Sequence, residues 1–255
     1  MSIKKGVLAV FADKRLYLYT LFDILLVAML YVSMTSFGAY IQSHSSALQG
    51  VDLSNLMQQD PAKASATLDE IKSFLIIFIV VIVGLFITSI VTFSLLQGII
   101  ENDITNQKLN KLARWIPFNL LIIIPLTIAG LVLALINILF QSLFNLLPDI
   151  AASILKNIVL LYLLATFIIL VHLLYRHFVI SHKMWASIGE GFHYFFSNKK
   201  KVAFLSMIGA IGFLLVGLLL IPLQYFSLGI TTIYFIATPL YLLVCEMIRL
   251  QVHTL

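Results

Sequence analysis

SFLIIFIVVIVGLFITSIVTFSLLQGII, residues 73–100, lies between Lys72 and Glu101 and holds no charged side chain. The hydrocarbon core of a bilayer is about 30 Å thick, and roughly 20 apolar helical residues cross it. The stretch therefore reads as a membrane span. Residues 24–51, 115–148, 157–175 and 202–245 are likewise free of Asp, Glu, Lys and Arg.

Composition points the same way. The mean hydropathy is +1.06, and only 11% of residues are charged, against about 25% in soluble domains. A soluble domain of this length would have too little polar surface to cover itself. A transmembrane barrel needs short strands of alternating polarity, whereas these apolar runs are unbroken. The predicted class is all-α, a polytopic bundle of six transmembrane helices over 16–41, 74–100, 117–140, 154–180, 202–221 and 229–250. The last two come from one long run, divided at a turn from Pro222 to Gly229. One cysteine, Cys245, excludes an internal disulfide.

Basic residues set the expected topology. Thirteen (Lys4, Lys5, Lys14, Arg15, Lys108, Lys111, Arg114, Arg176, Lys183, Lys199, Lys200, Lys201 and Arg249) fall at the termini or in even-numbered loops. Lys63, Lys72 and Lys156 fall in odd-numbered ones. That bias predicts both termini in the cytoplasm. The formal charge of +5 is thus read as orientation and contact with anionic lipid headgroups, not as a nucleic-acid surface. Lys14, Arg15, Lys199, Lys200, Lys201, Trp115 and Trp185 are the expected headgroup and interface residues. GVLAVFA near the N-terminus is interrupted by Asp13, Lys14 and Arg15, so a cleaved signal peptide is not expected. Ser2 stands where myristoylation needs glycine.

The chain reads as one membrane domain over 1–255, built from hairpins at roughly 1–100, 101–182 and 183–255. Amphipathic cytoplasmic elbow helices are expected at 3–15, 102–115 and 183–200. The first and third share a gapless pattern, Gly6-VLAVFADKR over 6–15 and Gly191-FHYFFSNKK over 191–200. This fits either common interfacial chemistry or duplication of a hairpin. In the outer loop 42–72, Asp60 and Pro61 form one candidate helix start and Thr67 to Glu70 another. Either start makes the second span project beyond the membrane. A short interfacial helix is expected around Leu147, Pro148 and Asp149.

The stretch GFHYFFSNKKK, feeding a span in a six-helix chain with short loops, resembles uncharacterised membrane families of archaea and bacteria. Its layout is similar to the membrane domain joined to some glycerophosphodiester phosphodiesterases. The resemblance implies a prokaryotic plasma membrane and brings no catalytic residues.

Asp23 lies roughly 10–12 Å into the first span, where a carboxylate is costly and needs a partner. His172 lies at similar depth in the fourth span. The two are expected to face one another, as a proton- or cation-responsive pair, a structural hydrogen bond or separately hydrated groups. Glu246 and Arg249, three apart, share a helix face and can pair locally. His172, His177 and His182 recur every five residues, so they point in different directions and are not expected to bind metal. Gly209, Ala210, Gly212 and Gly217 read as a close-packing surface. Pro125 and Pro239 read as mid-span kinks.

No motif for nucleophilic, metal or phosphate chemistry is evident, and neither enzyme activity nor a cofactor is expected. The foremost functional reading is a scaffold or the membrane subunit of a larger complex, with lipids and possible protein subunits as partners. The alternatives are a small transporter with an Asp23/His172 site and a lipid-modifying enzyme.

Overall fold

A computed structural model of the chain describes residues 13–48, 61–107, 112–225 and 230–254. Among these residues there is no strand, and seven α-helices follow in order. They are α1 (Lys14–Leu48), α2 (Pro61–Ile104), α3 (Trp115–Phe144), α4 (Asp149–Ser181), α5 (Met184–Ser197), α6 (Lys199–Tyr225) and α7 (Ile230–Thr254). Six of them, all but α5, are long and apolar enough to cross a membrane.

The helices start and stop where local chemistry directs. α2 begins at Pro61, whose missing N–H costs nothing in a first turn. Thr67 instead lies inside α2, with its hydroxyl donating to the Lys63 carbonyl at 3.0 Å, so it caps nothing. At 44 residues α2 is about 66 Å long, twice the hydrocarbon thickness. Past its C-terminus Asn106 turns left-handed at φ 53°, a conformation asparagine tolerates. Residues around Pro148 form no separate interfacial helix, because Asp149 opens α4 directly. Pro148 has an extended backbone and its carbonyl takes the Ala152 N–H at 2.9 Å. Pro222 is not in a turn but within α6, which continues to Tyr225.

Segment 183–200 contains a 14-residue helix, α5. It is hinged to α6 at Asn198, whose N–H reaches the Tyr194 carbonyl at 2.9 Å. Segment 102–115 shows no helix of its own among the described residues, only the end of α2, a turn and a 3-10 turn over Leu112–Arg114. The first elbow and the first repeat copy lie almost wholly outside the described residues.

The chain divides into two compact units. One comprises residues 25–93, within α1 and α2. In it Phe74 stacks on Tyr40 at 6.3 Å between ring centres, and Phe37 meets Phe78 at 5.6 Å. Its exposed side chains include the apolar Val32, Met34, Ile79, Val80 and Phe86.

The other unit comprises residues 1–24 and 94–255. Here α4 is the central helix, packed by α3, α5, α6 and α7. One apolar cluster joins Leu16 and Tyr19 of α1, Ile100 of α2, Ile169 and Leu173 of α4, and the inner faces of α6 and α7. A second is aromatic. Phe118 stacks on Phe178 with centroids 3.8 Å apart, and Trp115 packs edge-on against Phe178 at 5.0 Å. Trp115 is therefore a core residue, 1% exposed, and not an interface anchor. Its ring fills the space left by Gly98, where a Cβ would come within 2.7 Å of it.

The glycine surface of α6 allows close approach, as small residues do in membrane bundles. A Cβ on Gly209 would lie 2.9 Å from Ala165 Cβ and 2.8 Å from Ile248 Cδ1. The isoleucine end can swing aside, but the alanine methyl on α4 cannot. Gly209→Ala is expected to cost about 1–3 kcal/mol through overpacking, read as a lowered thermal unfolding temperature in detergent. Gly84→Ala, where a Cβ meets nothing within 4 Å, is the control and should leave that temperature unchanged.

Candidate functional site

The second unit buries a network of ionisable side chains inside an otherwise apolar bundle. Its centre is Arg249 of α7, 2% exposed. One helical turn back, Glu246 lies on the same face, with its carboxylate 2.8 Å from Arg249 Nη1. From α2, Gln97 Oε1 accepts a hydrogen bond from Arg249 Nη2, and Glu101 Oε1 approaches Arg249 Nε at 3.4 Å. From α4, His172 Nδ1 accepts from Arg249 Nε at 3.3 Å. His253, a further turn along α7, meets the other oxygen of Glu101 at 2.7 Å. Asp23 of α1 lies near Glu246.

Helix periodicity explains this convergence. Glu246, Arg249 and His253 are spaced i, i+3, i+7 on α7, and Gln97 and Glu101 are spaced i, i+4 on α2, so each set shares one face. The N-terminal end of α1 lies beside the C-terminal ends of α2, α4 and α7. All the members fall within about 15 Å of those ends, at 1.5 Å per residue. A guanidinium is always charged and donates through five N–H groups in a planar fork, so it can be shared among several helices at once.

Further polar contacts surround the network. Tyr175, one turn from His172, donates to Asn119 Oδ1 of α3 at 2.7 Å. Arg176 donates to the Val252 carbonyl at 3.1 Å and lies 5.7 Å from the Tyr194 ring centre of α5. His177 Nδ1 is 3.6 Å from Glu190. Near the start of α1, Tyr19 donates to Asp103, which also lies 4.0 Å from Arg15.

The structure brings Asp23, His172, Glu246 and Arg249 together, but it does not pair Asp23 with His172. Asp23 lies near Glu246, and His172 instead accepts from Arg249, whose charged guanidinium is a strong donor. His172, His177 and His182 go to three places: the network, Glu190 and the α4 C-terminus, where His182 is left-handed. Lys14, Arg15, Lys199, Lys200, Lys201 and Trp185 are exposed, Trp185 by 74%. Pro125 and Pro239 sit within continuous helices.

Gln97, Glu101 and His253 are members that sequence reading passes over. Glu101 and His253 stand at the ends of apolar runs, where a charge marks a boundary. Their spacing from Gln97 and Arg249 was the available signal.

At the opposite end of α3 and α4 a cleft of about 320 Å³ opens between Gln141, Asn145, Asp149, Ser153, Lys156 and Asn157. Within it Lys156 donates to Asn145 Oδ1 at 2.6 Å.

No family model, curated protein or solved structure matches the chain.

Removing one partner from a buried ionic network leaves the others uncompensated and typically costs about 3–5 kcal/mol. Arg249→Met should therefore destabilise the detergent-solubilised protein by that order, measured by thermal or denaturant unfolding. Arg249→Lys keeps the charge but loses the fork, and should fall between Arg249→Met and wild type.

Proposed function

We propose that the chain is a non-enzymatic integral membrane protein, a scaffold or the membrane subunit of a larger assembly. It sits in a prokaryotic plasma membrane with both termini in the cytoplasm. The observation that carries the non-enzymatic reading is closure of the network. Asp23, Gln97, Glu101, His172, Glu246 and Arg249 are each at most 9% exposed. Gln97, His172 and Glu246 spend acceptors on the Arg249 guanidinium, and Glu101 meets His253. A reacting acid or base must come within hydrogen-bond reach of its substrate, and the partners of these groups are other members of the network. What they do is clasp α1, α2, α4 and α7 in one register.

Orientation rests on the thirteen-to-three distribution of basic residues. The exposed Lys199, Lys200 and Lys201 at the start of α6 then meet anionic headgroups, with α5 lying as an elbow at that surface.

A small transporter is the second reading. The network favours it by placing three carboxylates, two histidines and an arginine where ionisable groups usually mark an ion or proton path.

Epitope tags on both termini should be cut by protease in inside-out vesicles and spared in intact cells. Opposite behaviour of the two tags would end the topology. A subunit or scaffold should co-purify in mild detergent with a stoichiometric partner whose membrane abundance falls when this chain is deleted. A lone chain that moves protons or solute across reconstituted vesicles, and loses that activity on Asp23→Asn, would displace this reading in favour of transport.

A further inference from the structure

We propose that the cleft between the loop-facing ends of α3 and α4 binds one phospholipid with a zwitterionic, amine-bearing headgroup. The inference is independent of the Arg249 network and holds whether the bundle scaffolds or transports.

The cleft holds about 320 Å³, at the lower end of the roughly 300–1,000 Å³ of ligand sites. Such sites are usually lined by apolar groups. This one is lined chiefly by polar side chains: Gln141 of α3, Asn145 just past its end, and Asp149, Ser153, Lys156 and Asn157 of α4. A space of that size and lining suits one small polar group.

The surroundings have the opposite character. Leu146 and Ile150 are 85% and 80% exposed, and Leu143 and Ile154 are each more than half exposed. Both helices are long and apolar enough to cross a membrane, and Asp149 is the first charged residue after Arg114. This end of the hairpin therefore lies where hydrocarbon gives way to headgroups, and its leucines and isoleucines meet lipid. A polar cleft beside lipid-facing apolar side chains fits an amphiphile. The head enters the cleft and the chains run along the apolar flank.

Charge selects the head. Of the lining residues only Lys156 and Asp149 are ionisable, and neither makes an ion pair among the described residues. They stand seven residues apart on α4, about 10 Å along its axis. A lysine within a span snorkels toward the interface without any ligand. Here its Nζ is held at the cleft by Asn145 Oδ1, at 2.6 Å. An ammonium has three donors, so two remain for a phosphodiester, a charged acceptor. Asp149 can only accept, and the amides of Gln141 and Asn157 offer further acceptors, which suits a primary ammonium. A head with a second negative charge would be repelled by Asp149. A quaternary ammonium has no N–H to give. The cleft thus favours an ethanolamine head over glycerol and choline heads.

The test is native mass spectrometry of the full-length, delipidated protein in detergent. It is titrated with phosphatidylethanolamine, phosphatidylcholine or phosphatidylglycerol of one chain composition, and with glycerophosphoethanolamine, which has the head but no chains. Wild type should retain one phosphatidylethanolamine more tightly than the other two lipids and than the chain-free head. Lys156→Met and Asp149→Asn each remove one charge and should each weaken that binding by about tenfold. Either variant suffices, so failure of one to fold leaves the other. Equal retention of the three lipids overturns the proposal, by reducing the contact to bulk lipid. Undiminished phosphatidylethanolamine binding in both folded variants overturns it too. Glycerophosphoethanolamine bound as tightly as the lipid overturns the choice of a lipid, making the ligand a soluble phosphodiester.

Discussion

A guanidinium withdrawn from water must find its counter-charges and acceptors within the protein, and one end of this bundle is organised around that demand. Arg249 cannot shed its proton, so two helices besides its own bring side chains to it. Each contact fixes a rotation and a height. The carboxylate of Glu246 comes from one turn away on the same helix, whereas Gln97, Glu101 and His172 come from elements 77 to 152 residues distant in the chain. Lipid gives helices no hydrophobic reason to prefer one neighbour over another. Under those conditions a shared charge specifies a packing more sharply than apolar contact does.

The packing around that hub shows the same economy. Where α6 passes α4 and α7, Gly209 leaves room for the Ala165 methyl and the Ile248 side chain. Where α2 passes the start of α3, Gly98 admits the Trp115 ring. Van der Waals contact is what holds apolar helices together in a membrane, and each missing methyl lets two backbones approach. The aromatic stack of Phe118 and Phe178 then locks α3 to α4. Its neighbour Tyr175 packs between that stack and His172 of the ionic network and donates to Asn119 of α3.

These two systems bear on function together. A bundle clasped by a closed network suits a component whose task is to hold a shape.

The fold class was legible from the sequence because membrane insertion is a matter of length and polarity, both local. A charge-free run such as 73–100 needs no partner to be recognised as a span, and Pro61 announces a helix start by its own chemistry. Glu246 and Arg249 were legible as a pair because three residues of helix bring them together without help from the rest of the fold. What only the tertiary structure decided was partnership across helices. Asp23 was identifiable as a costly carboxylate, but not that Glu246 would be its neighbour. Glu101 and His253 looked like solvated ends of spans and are instead buried against one another, and Trp115 looked like an interface anchor and is core. Hydropathy records how much each residue dislikes lipid or water. It carries no information about which helix stands beside which, and that adjacency determines whether a charged side chain near a span's end meets water or another charge.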